Sequence, residues 1–238
     1  MRAAAVVLLV AALCLSGVAD ASSSRSGSDG SPALASGVWP LPRSFQHDDH
    51  GPLPLPAGWG SVARTEVTFV DGSSESKLFA AALERFEQRV RYLGGADDTG
   101  ADNAKFIKVK VTSSAEHPEG IQLSKPSAAD YTIDTTGAQV SISAETVYGA
   151  MHALESLLQL VERATGGDFP LVLPSGKIAL SDGPDYAWRG IMIDAGRRFF
   201  PVPLMKNIID SMVAIKMNVV HLHASVGAGC SEARGADP

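Results

Sequence analysis

The sequence predicts an α+β small domain, a sheet with helices on one face, followed by a single β-α-β unit. Three observations predict it. Between residues 57 and 185, two stripes of apolar residues at helical spacing alternate with short strand-like runs. Residues 190–223 then read strand, helix, strand, the opening step of a parallel architecture. The chain is also long and apolar enough to bury a core or two.

The elements follow in order. Arg2 precedes an apolar run over residues 3–15, and Ala19, Asp20 and Ala21 put small residues at the −3 and −1 positions of a cleavage site. Residues 1–21 are therefore expected to be a secretory signal peptide. The run falls short of the roughly 20 apolar residues that a membrane span needs. Residues 22–56, rich in Ser, Gly, Pro and Asp, are expected to be a flexible lead-in that buries too little apolar surface to order itself. Its cluster His47, Asp48, Asp49, His50 reads as a solvated polar loop rather than a metal site, because no scaffold holds the two pairs.

Residues 62–70 alternate as a half-buried strand. A helix follows, with Phe79, Leu83, Phe86, Val90 and Leu93 on one stripe and Gly94 and Gly95 to stop it. Residues 107–111, 131–133 and 138–142 read as strands. A second helix, from about residue 146 to 163, turns Val147, Met151, Leu154, Leu158 and Val161 inward. His152 beside that stripe reads as a satisfied, partly buried histidine. Residues 169–185 form two short extended pieces joined by Pro174, Ser175 and Gly176. Ile191, Met192 and Ile193 are apolar without alternation, as in a strand covered on both faces. The helix over residues 203–216 opens at Pro203 and repeats Leu204, Ile208, Met212 and Ile215 on one face. Residues 218–223 make the second strand.

Charge and cysteine use narrow the function classes. A net charge of −6 without a basic run argues against nucleic acid or an anionic membrane as partner. Cys14 leaves with the signal peptide and Cys230 lies near the end, so no disulfide framework is expected. None of Asn103, Asn207 and Asn218 sits in a glycosylation sequon. The expected route is the secretory pathway, to an extracellular or vacuolar/lysosomal destination.

The segment over residues 188–223, WRGIMIDAGRRFFPVPLMKNIIDSMVAIKMNVVHLH, resembles the opening of the catalytic barrel of the β-N-acetylhexosaminidases, glycoside hydrolase family 20. Residues 137–161, GAQVSISAETVYGAMHALESLLQLV, resemble the end of the small domain that precedes that barrel. The resemblance runs from about residue 57 to 225. It implies that residues 57–185 are the N-terminal α+β domain and that residues 186–225 are the first β-α-β unit of an incomplete (β/α)8 barrel. In such barrels, catalytic groups gather where strands end at their C-termini.

The resemblance also assigns roles. Arg189 matches the arginine of the family's R-G-hydrophobic-D motif, which grips hydroxyls of the terminal sugar. A guanidinium suits that task because its donors are fixed in a plane. Strand placement puts Arg189 at the start of its strand rather than the end. Asp194 and Arg197 match the family's D-x-x-R, and His221 and His223 its paired histidines, so these four form a candidate active-site network. Asp194 and Arg197 read equally as an ion pair bracing the first loop, and the histidines as polar residues plugging the top of a barrel. An H-x-H metal site is the weaker reading, since nothing after His223 supplies a third histidine. Arg198 and Leu222 depart from the histidine and tryptophan usual at those places.

The family's chemistry is substrate-assisted: the sugar's own acetamido oxygen attacks, an Asp orients it, and a Glu acts as general acid. That Asp-Glu pair is absent from this chain. Residues 226–238 form a tail without apolar period or family match. With 51 residues from Trp188 to Pro238, a closed barrel of roughly 250 residues is out of reach. The expectation is an inactive truncated form of a β-N-acetylhexosaminidase that acts on N-acetylhexosamine-terminated glycans. The alternative is a non-catalytic secreted module that assembles with full-length hexosaminidase subunits. No metal or organic cofactor is called for.

Overall fold

The computed structural model describes residues 37–48, 51–93, 105–114, 125–136, 139–164 and 171–224. Its strands are β1 (Ser44–His47), β2 (Leu53–Pro54), β3 (Thr65–Phe69), β4 (Ile107–Ser113), β5 (Tyr131–Thr136), β6 (Gln139–Thr146), β7 (Glu162–Arg163), β8 (Leu171–Leu173), β9 (Ile178–Asp182), β10 (Gly190–Asp194) and β11 (Val219–His223). Its α-helices are α1 (Lys77–Tyr92), α2 (Val147–Gln159) and α3 (Val202–Ala214).

Six strands form one sheet in the order β1-β9-β5-β6-β4-β3. This sheet is mixed. β1, β9, β5 and β6 pair antiparallel, whereas β6, β4 and β3 pair parallel. The parallel part follows from connectivity, because α1 carries the chain back between β3 and β4 and a parallel pair needs such a crossover. β4 and β6 alternate buried and exposed along their length, so one face of the sheet is covered and the other is open. α2 lies across β4, β5 and β6, and α1 packs on α2. The core between them holds Phe79, Phe86, Ile107, Ile133, Ile142 and Leu157, all nearly sealed from solvent.

Local chemistry explains the helices. Ser76 caps α1 by accepting from the Phe79 N–H, and Phe79, Leu83, Phe86 and Val90 are buried as the stripe predicts. α2 starts directly where β6 ends, and Thr146 donates its hydroxyl proton to the Ala128 carbonyl. The buried stripe of α2 is wider than the five residues expected. Ala150, Ala153 and Leu157 are sealed completely, while Met151 and Val161 are only partly buried. The helix also ends at Gln159, short of the expected residue 163, because Glu162 and Arg163 pair with β8 as a small strand.

A second correction concerns the lead-in. Residues 37–48 and 51–56 contribute strands: β1 is the edge strand of the main sheet and β2 joins β8 and β7 in a three-stranded sheet. Val38 and Leu55 are buried in the core. Pro54 lies in the edge strand β2, where a missing N–H is tolerated. Residues 1–36, with the expected signal peptide, and the tail 226–238 lie outside the described residues. Among the described residues no helix is long and apolar enough to cross a membrane.

The last three elements form the expected β-α-β unit. β10 and β11 pair parallel, Gly190 with Val219 through Asp194 with His223, joined by α3. No barrel closes among the described residues, because β10 and β11 make a sheet of two. The expectation that β10 is covered on both faces also fails. Ile193 is 4% exposed but Met192 is 63% exposed, so β10 is not covered on both faces.

Candidate functional site

Asp194 and His223 are register partners at the C-terminal ends of β10 and β11, and Met192 pairs with His221 one step earlier. Paired positions of a parallel ladder share a face, so Asp194, His221 and His223 project to the same, uncovered side. Both histidines are exposed. Asp194 is occupied by its own loop: one oxygen accepts from the Gly196 and Arg197 N–H groups, at 3.1 Å each. The other meets the Arg197 guanidinium at 3.2 Å. With the Arg197 side chain 90% exposed, that ion pair contributes little energy, and the main-chain bonds do most to shape the turn.

Arg189 is elsewhere. It precedes β10, about 17 Å of extended chain from Asp194 at roughly 3.3 Å per residue. Its Nε donates to the Lys216 carbonyl at 2.9 Å and its Nη1 to the Tyr186 carbonyl at 2.8 Å. Its main-chain N–H donates to the Asn218 side chain, which also donates to the Ala187 carbonyl. These bonds tie the segments entering β10 and β11 into one knot. Burial pulls the Arg189 pKa below the usual guanidinium range. Gly190 lets the two strands approach, because a Cβ there would lie 2.7 Å from the Val219 carbonyl oxygen. The structure thus brings Asp194, Arg197, His221 and His223 to one end of the unit and leaves Arg189 at the other.

The most tightly organised polar cluster was missed in the sequence. Tyr131 on β5 and Asp182 on β9 are register partners. The Tyr131 hydroxyl donates to Asp182 at 2.7 Å and accepts from the Lys216 ammonium at 2.8 Å. Lys216 also reaches Asp182 at 3.0 Å, and Ser156 on α2 completes the set at 2.5 Å from the tyrosine oxygen. Tyr131 has one proton to give, so with Asp182 taking it, Lys216 and Ser156 serve as its donors. Burial first, then the Asp182 charge, pushes the Tyr131 hydroxyl well above its usual pKa. Burial pulls Lys216 below its usual value, and Asp182 opposes that pull. No spacing rule links residues this far apart, so the cluster left no local signal.

His152 on α2 lies beside this cluster. It is buried, at 9% exposure, and its Nδ1 has no hydrogen-bond partner among the described residues. Burial, then the Arg189 and Lys216 charges, lowers its pKa to about 3, while a bond to the Ala129 backbone works the other way. The ring is neutral and carries a donor toward Ala129. A cleft of about 200 Å³ opens here between the helices, lined by Phe86, Met151, His152, Glu155, Lys216 and Met217 among others. It is distinct from the strand ends that carry Asp194 and the two histidines. No group of three or more metal-ligating side chains occurs among the described residues.

The described residues thus form an α+β unit leading into a parallel β-α-β unit with polar strand ends. Comparisons with known proteins identify the family. Residues 38–160, just over half of the chain, match the family model described as beta-acetyl hexosaminidase like. Residues 186–229 match the catalytic domain of glycosyl hydrolase family 20. The chain belongs to the family 20 β-hexosaminidases.

Among its relatives, the beta-hexosaminidase subunit beta of Entamoeba histolytica is 41% identical over 95 residues, covering 40% of this chain and 16% of that protein. The beta-hexosaminidase subunit alpha of Rattus norvegicus is 27% identical over 202 residues, covering 80% and 35%. In fold, the chain resembles the Flavobacterium johnsoniae chitobiase with a TM-score of 0.60 at 24% identity, covering 79% of this chain and 27% of that one. A family 20 exo-β-N-acetylglucosaminidase from Vibrio harveyi, solved in complex with N-acetylglucosamine, gives a TM-score of 0.56 at 22% identity over 84% and 28%. The chain therefore spans about a third or less of the length of the relatives it matches.

Proposed function

We propose that this chain supplies the N-terminal domain and the first β-α-β unit of the (β/α)8 barrel of a β-N-acetylhexosaminidase. The reaction it belongs to removes terminal, non-reducing N-acetylhexosamine from glycans. The single observation that carries this reading is the parallel pairing of β10 with β11 across α3, with Asp194 and His223 side by side at the C-terminal edge. Barrel enzymes place reacting groups at that edge.

In this reading Asp194 shapes the first loop, and His221 and His223 contribute polar groups to the wall of the sugar pocket. Arg189 is the candidate sugar-hydroxyl ligand by family motif. Its guanidinium here is committed to two main-chain carbonyls, so sugar contact requires it to reach beyond them. The chemical step is substrate-assisted, with an Asp orienting the acetamido group and a Glu protonating the leaving oxygen. No Asp-Glu dipeptide occurs in the 238 residues. Residues 1–238 by themselves thus carry sugar-pocket elements without the general acid, and no cofactor enters the scheme.

The test is hydrolysis of a chromogenic N-acetyl-β-glucosaminide by the purified chain, from a host free of the activity. A version extended through a complete barrel serves as positive control. The expected result is a folded chain with no turnover beside an active control. Clear turnover by the chain alone would refute the assignment of the acid to a later barrel strand.

A second reading is favoured by the exposure of Val220 and Leu222, which share one face of the two-stranded sheet. Such an apolar face suits association with a complete hexosaminidase subunit. Co-sedimentation with a full-length subunit would support it, and a monodisperse monomer in that mixture would refute it. The secretory route is part of the proposal and rests on residues 1–21. N-terminal sequencing of secreted material should begin at Ser22.

A further inference from the structure

Lys216 occupies a backbone position that ordinarily belongs to glycine. The Met217 N–H bonds the Met212 carbonyl and the Lys216 N–H bonds the Val213 carbonyl, at 2.9 and 3.0 Å. This crossed pair is the Schellman ending of a helix, with Lys216 as the residue just past the cap. Its φ of 60° makes it the sole non-glycine with positive φ among the described residues. For a side chain with a Cβ that conformation is strained. Glycine there would relieve the strain, so something in the lysine side chain must offset it.

The side chain turns out of the β10–α3–β11 unit and into the six-stranded sheet. Its ammonium meets Asp182 at 3.0 Å and the Tyr131 hydroxyl at 2.8 Å, and lies 5.3 Å from the centre of the Tyr131 ring. Lys216 is 6% exposed and Asp182 7%. The pair is nearly dry, where removing one partner leaves an unpaired buried charge. The Lys216 carbonyl is held from the other side by Arg189. A second tie runs parallel to the first: the Gln159 side chain on α2 donates to the Ala214 carbonyl in the last turn of α3, and accepts from the Trp39 N–H.

We propose that Tyr131, Asp182 and Ser156 form a cation socket on the small domain, and that its partner is Lys216 of the chain's own β-α-β unit. The lysine acts as the peg that docks the first barrel unit and sets where β11 begins, three residues further on. The inference goes beyond the sugar chemistry and does not depend on it.

Hydrogen exchange of the full chain tests it, because the bland alternative predicts the opposite sign. If the lysine side chain does nothing, Lys216→Gly relieves strain, and the amides of residues 202–223 exchange as slowly as before or more slowly. If it is the peg, those amides exchange at least tenfold faster, while those of β6 and α2 change less than twofold. The double variant K216M/D182N, which keeps the volume but removes both charges, should show the same selective loss to a smaller degree. Unchanged or slower exchange over residues 202–223 in Lys216→Gly overturns the proposal. So does an equal loss in both regions, or unfolding of the whole chain, since either makes the pair a general core contact rather than a docking device.

Discussion

His152 makes the stability of this chain depend on pH. Its ring is sealed beside the Arg189 and Lys216 charges, and its pKa falls from 6.5 to about 3. Between those values the unfolded chain binds a proton that the folded chain refuses. The unfolded state then holds more protons, so stability rises with pH and is lost as the solution is acidified below about 6.5. The slope approaches about 1.4 kcal/mol per pH unit, which comes to about 2 kcal/mol between pH 7 and pH 5. That is a large share of the ~5–15 kcal/mol by which domains are usually stable.

Urea unfolding followed by far-ultraviolet circular dichroism at pH 7, 6 and 5 measures the slope. The control is His152→Gln, which keeps a donor for the Ala129 backbone and cannot titrate. Stability at pH 7 will differ between the two proteins for packing reasons, but only the wild type should lose the extra 2 kcal/mol or so on going to pH 5. Parallel curves would refute the reasoning, because the histidine would then be hydrated or charged in the folded state.

Three further outcomes are expected. Gly190→Ala places a Cβ 2.7 Å from the Val219 carbonyl oxygen and 2.9 Å from its Cβ; the strands must separate at a cost of about 1–3 kcal/mol, read as faster amide exchange in β10 and β11. Leu157→Ala empties a site of zero exposure under the sheet and should cost about 2–5 kcal/mol in denaturant unfolding. Asp71 accepts main-chain bonds from Ser114 and Ser73, which lower its pKa from 3.8 to about 2. Its contribution is present above pH 3.8 and lost as pH falls through about 2, so a carbon-detected NMR titration should find the Asp71 midpoint near 2.

What was legible in the sequence was what repeats locally. The stripe of Phe79, Leu83, Phe86 and Val90 announced α1 because side chains three and four apart must share a face. The unit from Gly190 to His223 was legible as strand, helix, strand, while its pairing register was not. The edge strand β1 was not, because its residues gain order from β9, more than 130 positions away. The width of the α2 stripe was underestimated because alanines fill the helix–sheet gap as effectively as leucines while giving a weak apolar signal. Of the candidate site, the positions of Asp194, His221 and His223 at strand ends followed from counting along strands. The commitment of Arg189 to carbonyls could not, since it depends on where two loops meet.

Lys216 shows why the remainder was hidden, and why it matters. The sequence Ile215-Lys216-Met217-Asn218 reads as the run from a helix into a strand, with no glycine to mark the stop. The missing glycine was itself a clue, since a helix so close to a parallel strand must reverse within a few residues, and some residue has to take the left-handed turn. A lysine can take that position if its side chain finds a return for the strain. The return lies 85 residues back at Tyr131 and 34 back at Asp182. Sequence reasoning can therefore locate the strained position but not the contact that permits it. In this chain that contact joins the sheet, which carries no assigned chemistry, to the strands that carry the candidate active-site residues.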